Sequence, residues 1–209
     1  MIKNIIFDWD GVILDSNSVK DRAFEYVLRH YDAGKVAELV AYHQANGGIS
    51  RFIKFRMFFE EMLGETISSE QVEDLSQQFS AYALRELVDP KLQIHESIKW
   101  VKENYKNYNF HVASGSEESE LKRVAEAQQL SSYFQSFHGS PTAKPILVED
   151  ILSSNDYLAS ETILIGDSIN DYRAAEANSV AFCAYNRSTL KGIGLIYLNK
   201  FSDLTKILK

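Results

Sequence analysis

The chain has 209 residues, enough for one large domain or for one domain carrying an insertion. Hydrophobic residues make up 45% of it, with only 3 prolines and 10 glycines, which excludes a linker-dominated or low-complexity chain. Its 29 acidic against 22 basic residues leave a net charge of −7 and no basic tract, so nucleic acid and anionic membranes, which demand clustered Lys and Arg, are poor partners.

The sequence predicts a first strand over residues 2–7, running into Asp8, Asp10 and Gly11. Helical patterns follow over 17–31, 35–45, 51–63 and 69–87, broken at Gly34, Gly47-Gly48 and Gly64 and closed by Asp89-Pro90. Further strands are predicted at 110–113, 136–138, 162–165, 180–184 and 195–198, with helices at about 96–106, 117–130, 145–154 and 169–177 between most of them. Strands alternating with helices predict an α/β fold, a parallel sheet covered on both faces. The runs IIF and TILI are continuously apolar, as strands buried on both faces are. A strand-helix unit takes about 30 residues, yet 106 separate Asp8 from Ser114. The excess is helical throughout. It predicts an all-helical cap domain at 16–88, inserted into an α/β core made of 1–15 and 89–209.

The single cysteine, Cys183, lies in an apolar run and reads as a buried inert thiol, so no disulfide and no Cys-based metal site arise within this sequence. The apolar stretch before Asp8 is too short for a signal peptide, and no run approaches the ~18 apolar residues of a membrane helix. The expected location is the cytoplasm. Nothing in the residues selects an oligomeric state.

Ligands of open α/β sheets bind at the carboxyl ends of the strands. There the sequence sets Asp8, Asp10 and Gly11 after the first strand, and Ser114 and Gly115 after the second. Lys144 stands before the helix at 145–154, and Gly166, Asp167 and Asp171 follow the strand at 162–165. Two carboxylates about 4 Å apart repel by about 4 kcal/mol at an effective dielectric near 20, so such a cluster calls for a cation. Oxygen ligands without Cys or His in these turns favour Mg²⁺ over zinc, and a lysine beside it suits a phosphate dianion.

The segments FDWDGVILDS (7–16), ASGS (113–116), AKP (143–145) and IGDSIND (165–171) resemble the four ordered motifs of the haloacid dehalogenase-like hydrolases, in particular the phosphatase and phosphomutase branch with a helical cap after the first motif. The resemblance implies a Rossmann-like three-layer core and a Mg²⁺-dependent phosphatase acting on a small-molecule phosphate ester, such as a sugar phosphate or a phosphoglycolate-like compound. It implies Asp8 as nucleophile and Asp10 as general acid and base. Ser114 and the Gly115 amide would hold phosphoryl oxygens, and Lys144 would neutralise the transferring group. Mg²⁺ would be held by Asp8, the Asp10 carbonyl and Asp167, with Asp171 acting through water or by orienting Lys144, and Asn170 touching phosphate. A phosphomutase is the alternative within enzymes, and a phospho-acceptor signalling domain the alternative outside them.

Each residue also has a plainer reading. Asp8 and Asp10 could cap a turn, Lys144 could be a surface lysine, and Ser114 could cap the helix at 117–130 in a capping box with Glu117. In the cap, Gly48, Ile49, Ser50 and Arg51 resemble the substrate loop of β-phosphoglucomutase-like members, so Gly48, Arg51 and Lys54 are candidate substrate contacts. The alternative for Arg51 and Lys54 is a solvated basic face. Phe52, Phe55, Phe59 and Met62 recur at helical spacing and read as cap core. Lys20 departs from the pattern: β-phosphoglucomutase-like members carry histidine there, which weakens the mutase reading. Lys20 is either a substrate contact near the hinge or an exposed lysine. His43, His95, His111 and His138 show no ligand spacing and read as structural.

Overall fold

The computed structural model describes residues 1–192 and 196–208. After β1 (Asn4–Phe7) come four helices, α1 (Asn17–Val27), α2 (Ala33–Ala45), α3 (Arg51–Met57) and α4 (Ser69–Leu87). The chain continues as α5 (His95–Asn104), β2 (Asn109–Glu117), α6 (Glu118–Ala127), β3 (Ser136–Ser140) and α7 (Lys144–Ser154). It ends with β4 (Thr162–Gly166), α8 (Ile169–Ala177), β5 (Ala181–Tyr185), β6 (Ile196–Leu198) and the short α9 (Leu204–Ile207).

All six strands are parallel, in the order β3-β2-β1-β4-β5-β6. Because side chains alternate along a strand, the sheet has two apolar faces. Ile5, Phe7, Phe110, Val112 and Ile163 belong to the core shared with α5, α6 and α9, whereas Ile6, Ala113, Leu164 and Phe182 pack with α7 and α8. The result is a three-layer α/β fold with β1 near the centre of its sheet. All four residues of β1 and all five of β4 are buried, matching their unbroken apolar runs.

The excess between β1 and β2 is helical, as expected. Its core is aromatic: Phe24 of α1 meets Phe79 of α4 at 4.8 Å and Phe55 of α3 at 5.4 Å between ring centroids. Phe55 and Phe59 are buried, and Phe52 and Met62 are partly buried against the same cluster.

Several boundaries differ from the sequence expectation for local reasons. The first helix ends at Val27 rather than 31, and Asp32 starts the next by accepting from the Lys35 amide at 3.0 Å, so Gly34 lies inside α2. The helix predicted over 51–63 changes at Phe58 into a π-helical turn, Phe58–Leu63, which Gly64 closes at φ 71°. Strand β2 runs on to Glu117, whose own carboxylate caps α6 by accepting from the Ser119 and Glu120 amides; the expected Ser114–Glu117 capping box is therefore not formed. Of the strand predicted at 195–198, Leu195 lies outside the described residues. Among those described, no helix is long and apolar enough to cross a membrane.

Candidate active site

Strand β1 delivers Asp8 to the carboxyl edge of the sheet, where its amide donates to the Ile165 carbonyl of β4 at 2.9 Å. Asp8 Oδ1 accepts from the Trp9 amide at 2.8 Å and lies 2.8 Å from Lys144 Nζ. The same ammonium donates to Asp171, so one buried lysine bridges two buried carboxylates. Asp171 is itself fixed by a capping box, accepting from the Ser168 amide at 2.9 Å and hydroxyl at 2.8 Å. Two glycines make the crowding possible. Gly11 holds φ at +77°, and a Cβ there would overlap the Asp167 carboxylate; at Gly166 it would overlap Asp171.

Asp8, Asp167 and Asp171 each offer an oxygen within 4.8 Å of the others, and all three are buried. The charges are poorly balanced. Burial, then Asp171, raises the Asp8 pKa well above the ordinary value against the pull of Lys144. Asp167 is pushed up to about 7 by burial and then by Asp171. In Lys144 burial favours the neutral form, but Asp171 and Asp8 outweigh it and hold the ammonium protonated. Three carboxylates facing one lysine, with oxygen donors alone, fit a hard divalent cation such as Mg²⁺.

Asp10 turns its carboxylate away from this cluster. It accepts from Ser16 Oγ, from Lys20 Nζ and, at 2.8 Å, from Ser116 Oγ, with Ser114 Oγ 3.4 Å away. Burial raises its pKa, but Lys20 and these hydrogen bonds outweigh that and hold it well below the usual carboxylate range. Its side chain is thus not one of the three carboxylates Asp8, Asp167 and Asp171 that gather at the metal-type cluster. Ser116 escaped the sequence reading, although an i, i+2 spacing from Ser114 on one strand is a legible sign of a shared face.

The helical segment closes over this edge. Asn170 Nδ2 donates to the Gly47 carbonyl at 2.7 Å, and Arg187 donates to the Gln44 carbonyl at 2.7 Å. The Gly48 carbonyl approaches Gly115 so closely that a Cβ on Gly115 would overlap it. Between the two parts lies a cavity of about 40 Å³ lined by Asp8, Asp10, Lys20, Lys54, Gly48 and Gly115, among others. Lys20 is buried there rather than exposed, with Nζ on Asp10 and 2.6 Å from Ser116 Oγ. Lys54 is buried too, 2.7 Å from His43 Nδ1, so His43 lines the cavity although its spacing gave no sign of it. Burial excludes the solvated-face reading for both Arg51 and Lys54. His111 and His138 share Ser136 Oγ at 2.7 Å on β2 and β3, and Cys183 is buried with its thiol pushed up to about 12.

Arg51 contacts Glu120 of α6. Its Nη1 donates to Glu120 Oε2 at 2.9 Å and to Ser80 at 2.8 Å, and its guanidinium lies 4.4 Å from the Phe79 ring centre. Its Nη2 stands 2.9 Å from Oε1, but at an angle that leaves that oxygen without a hydrogen bond. Breaking a buried pair strands one charge at a loss of about 3–5 kcal/mol, whereas replacing both by apolar groups is nearly neutral. In urea melts Arg51→Met and Glu120→Leu should each lower stability by that amount, and the double variant should recover most of it. Additive losses would mean that the two side chains do not act as a pair.

The model of the haloacid dehalogenase-like hydrolase family matches residues 5–185. The chain belongs to the haloacid dehalogenase-like hydrolases. The same architecture recurs in β-phosphoglucomutase of Clostridium difficile, at 15% identity and a TM-score of 0.80 over 98% of this chain and 93% of that one. A predicted phosphoglycolate phosphatase of Haemophilus somnus aligns at 16% identity and TM-score 0.75, over 100% and 98%. The HAD-hydrolase YfnB of Bacillus subtilis, described as bound to magnesium with interdomain movement, aligns at 15% and 0.73, over 100% and 99%. At these identities the likeness is one of fold. No curated protein matches the chain significantly.

Proposed function

We propose that this family member is a cytoplasmic Mg²⁺-dependent phosphatase that hydrolyses a small phosphorylated metabolite through an aspartyl-phosphate. The observation that carries the reading is Asp8, held 2.8 Å from Lys144 beside the buried carboxylates Asp167 and Asp171 and open to the cavity. In the first half-reaction an Asp8 oxygen bonds to phosphorus, the bond to the leaving alcohol breaks, and Asp10 supplies that oxygen's proton. In the second, Asp10 takes a proton from water, whose oxygen bonds to phosphorus and frees Asp8 and inorganic phosphate. Lys144 keeps Asp8 ionised. Ser114, the Gly115 amide and Asn170 are assigned to phosphoryl oxygens. Asp8, Asp167 and the Asp10 carbonyl are assigned to Mg²⁺, with Asp171 positioning Lys144. When bound, Mg²⁺ offsets the charge of the transferring phosphoryl group.

Residues 16–88 are assigned the role of a cap on the core formed by 1–15 and 89–209. Ligand pockets typically enclose about 300–1,000 Å³, and a cavity of only about 40 Å³ supports a cap that moves for entry and release. The phosphomutase alternative is disfavoured by Lys20, which stands on Asp10 where mutase-like relatives carry histidine.

Phosphate release across a panel of phosphorylated metabolites tests the reading. Turnover should need Mg²⁺, stop in chelator and return on adding metal, without a bisphosphate activator. A second readout is independent of turnover. Mg²⁺ at 100 times its Kd should stabilise the fold by about 2.7 kcal/mol, a rise in Tm of about 5–10 °C, and Asp167→Asn should abolish that rise. Activity undiminished in chelator, or an unmoved Tm, would overturn the metal assignment.

A further inference from the structure

Three cations line the cavity, Lys20, Arg51 and Lys54, and a fourth, Lys144, lies 2.8 Å from Asp8; all but one of the four are already matched. Lys144 pairs with Asp8 and Asp171, Lys20 with Asp10, and Arg51 with Glu120. Lys54 is the exception. It is 1% exposed, its one hydrogen-bond partner among the described residues is His43 Nδ1, and no carboxylate among them lies within 4.0 Å of its ammonium.

The partner is neutral. Burial, followed by the charge of Lys54, brings the His43 pKa down to about 2, so Nδ1 accepts and Nε2 carries the hydrogen. That Nε2 lies 3.7 Å from Asp21 Oδ1, a buried oxygen without a hydrogen bond of its own. Asp21 on α1, His43 on α2 and Lys54 on α3 thus form a line that aims one ammonium into the cavity. Burial, then the nearby Lys20, brings the Lys54 pKa down to about 7. A buried cation without a counter-charge is unfavourable in the fold and becomes favourable when an anion reaches it.

We propose that Lys54, held by His43 and Asp21, binds a second anionic group of the substrate, making the substrate class a short phosphomonoester that also carries a carboxylate or another phosphate. The inference rests on the phosphatase reading of the same cavity. The scissile phosphoryl group is served by Lys144 at Asp8, so the charge of Lys54 is left for another part of the molecule. Arg51, the cap cation singled out by its place in the motif, is held by Glu120 and Ser80 instead. The chain between the two anions is short, because Lys54 and Asp8 line the same cavity.

Matched pairs of compounds test this. Phosphoglycolate is compared with ethyl phosphate, which replaces the carboxylate by a methyl group, and propane-1,3-diol bisphosphate with propyl phosphate. For each, kcat/KM is measured in the wild type, Lys54→Met and Lys54→Arg, and binding is measured by calorimetry in an Asp8→Asn background. A charge-assisted contact predicts a preference of about 10- to 100-fold for the anionic member of at least one pair, and which pair shows it tells carboxylate from phosphate. Lys54→Met should bring that ratio to within about threefold of unity, and Lys54→Arg should keep most of it. Thermal melts of both variants check folding, since Lys54→Met relieves a buried unpaired charge but strands the acceptor at His43 Nδ1, whereas Lys54→Arg keeps a donor there. A preference that survives Lys54→Met, or no preference for either anion by either method, overturns the proposal. If no compound releases phosphate, the phosphatase reading falls while calorimetry still decides the role of Lys54.

Discussion

On the proposed mechanism Asp8→Asn should lose turnover by on the order of 10⁴-fold or more and leave no phosphoenzyme, because the substitution removes the assigned nucleophile while keeping its shape. The same variant should not be a folding casualty. Burial and Asp171 raise the folded pKa of Asp8 above its unfolded value. A carboxylate with a raised pKa opposes folding once the pH exceeds its unfolded value, and it does so fully above the folded one. Without Mg²⁺ at neutral pH, Asp8→Asn should therefore melt at or above the wild type. With Mg²⁺ the order should reverse, since the wild type gains a ligand that the variant lacks. Parallel melts with and without metal, beside a phosphoenzyme assay, separate a missing nucleophile from a damaged fold. A metal-free variant melting far below the wild type would show Asp8 to be structural.

The core of this site was legible because the topology does the gathering. Asp8, Ser114, Lys144, Asp167 and Asp171 are scattered over more than half the chain, yet each lies near the carboxyl end of a strand or in the first turn of a helix at the same edge of a parallel sheet. Once the apolar runs locate the strands, the residues after them must converge. The contacts between the helical segment and the core had no such guide. Glu120 reads as one more acidic residue on an amphipathic helix, and only the docking of α3 against α6 buries it beneath Arg51. His43 has no ligand spacing because its partners, Lys54 and Asp21, lie on other helices. The burial of Arg51 and Lys54 was equally hidden. Helical period predicts which residues share a face, but α3 packs against α4 on one side and against β2 on another. Ser116 was the nearest miss, two residues beyond a hydroxyl already singled out.

Lys20 shows how a contact of this kind changes an expected result. From sequence, Lys20→Ala should impair the physiological substrate and spare a small aryl phosphate, because a cap lysine reads the remote part of a substrate. In the structure Lys20 touches Asp10 and Ser116, so both substrates should suffer. Burial raises the Asp10 pKa, and the charge of Lys20 is the largest influence that lowers it, ahead of Ser16 and Ser116. Removing that charge while burial remains must move the Asp10 pKa upward. A higher pKa favours the protonated form, which serves the leaving alcohol, and depletes the ionised form needed to activate water. Lys20→Met should thus slow dephosphorylation more than phosphorylation. Phosphoenzyme should accumulate as the pH falls through the raised Asp10 pKa, aryl phosphate turnover there should fall toward the loss of the whole acid–base contribution, about 10²–10⁴-fold, and the acid limb of the kcat profile should move to higher pH. Lys20→Arg, which restores the charge, should return the limb most of the way. A lysine that only reads substrate would leave the aryl phosphate within a few-fold of wild type and the limb unmoved. The pH profile therefore decides whether Lys20 tunes the acid and base of the reaction or belongs, with Lys54, to recognition.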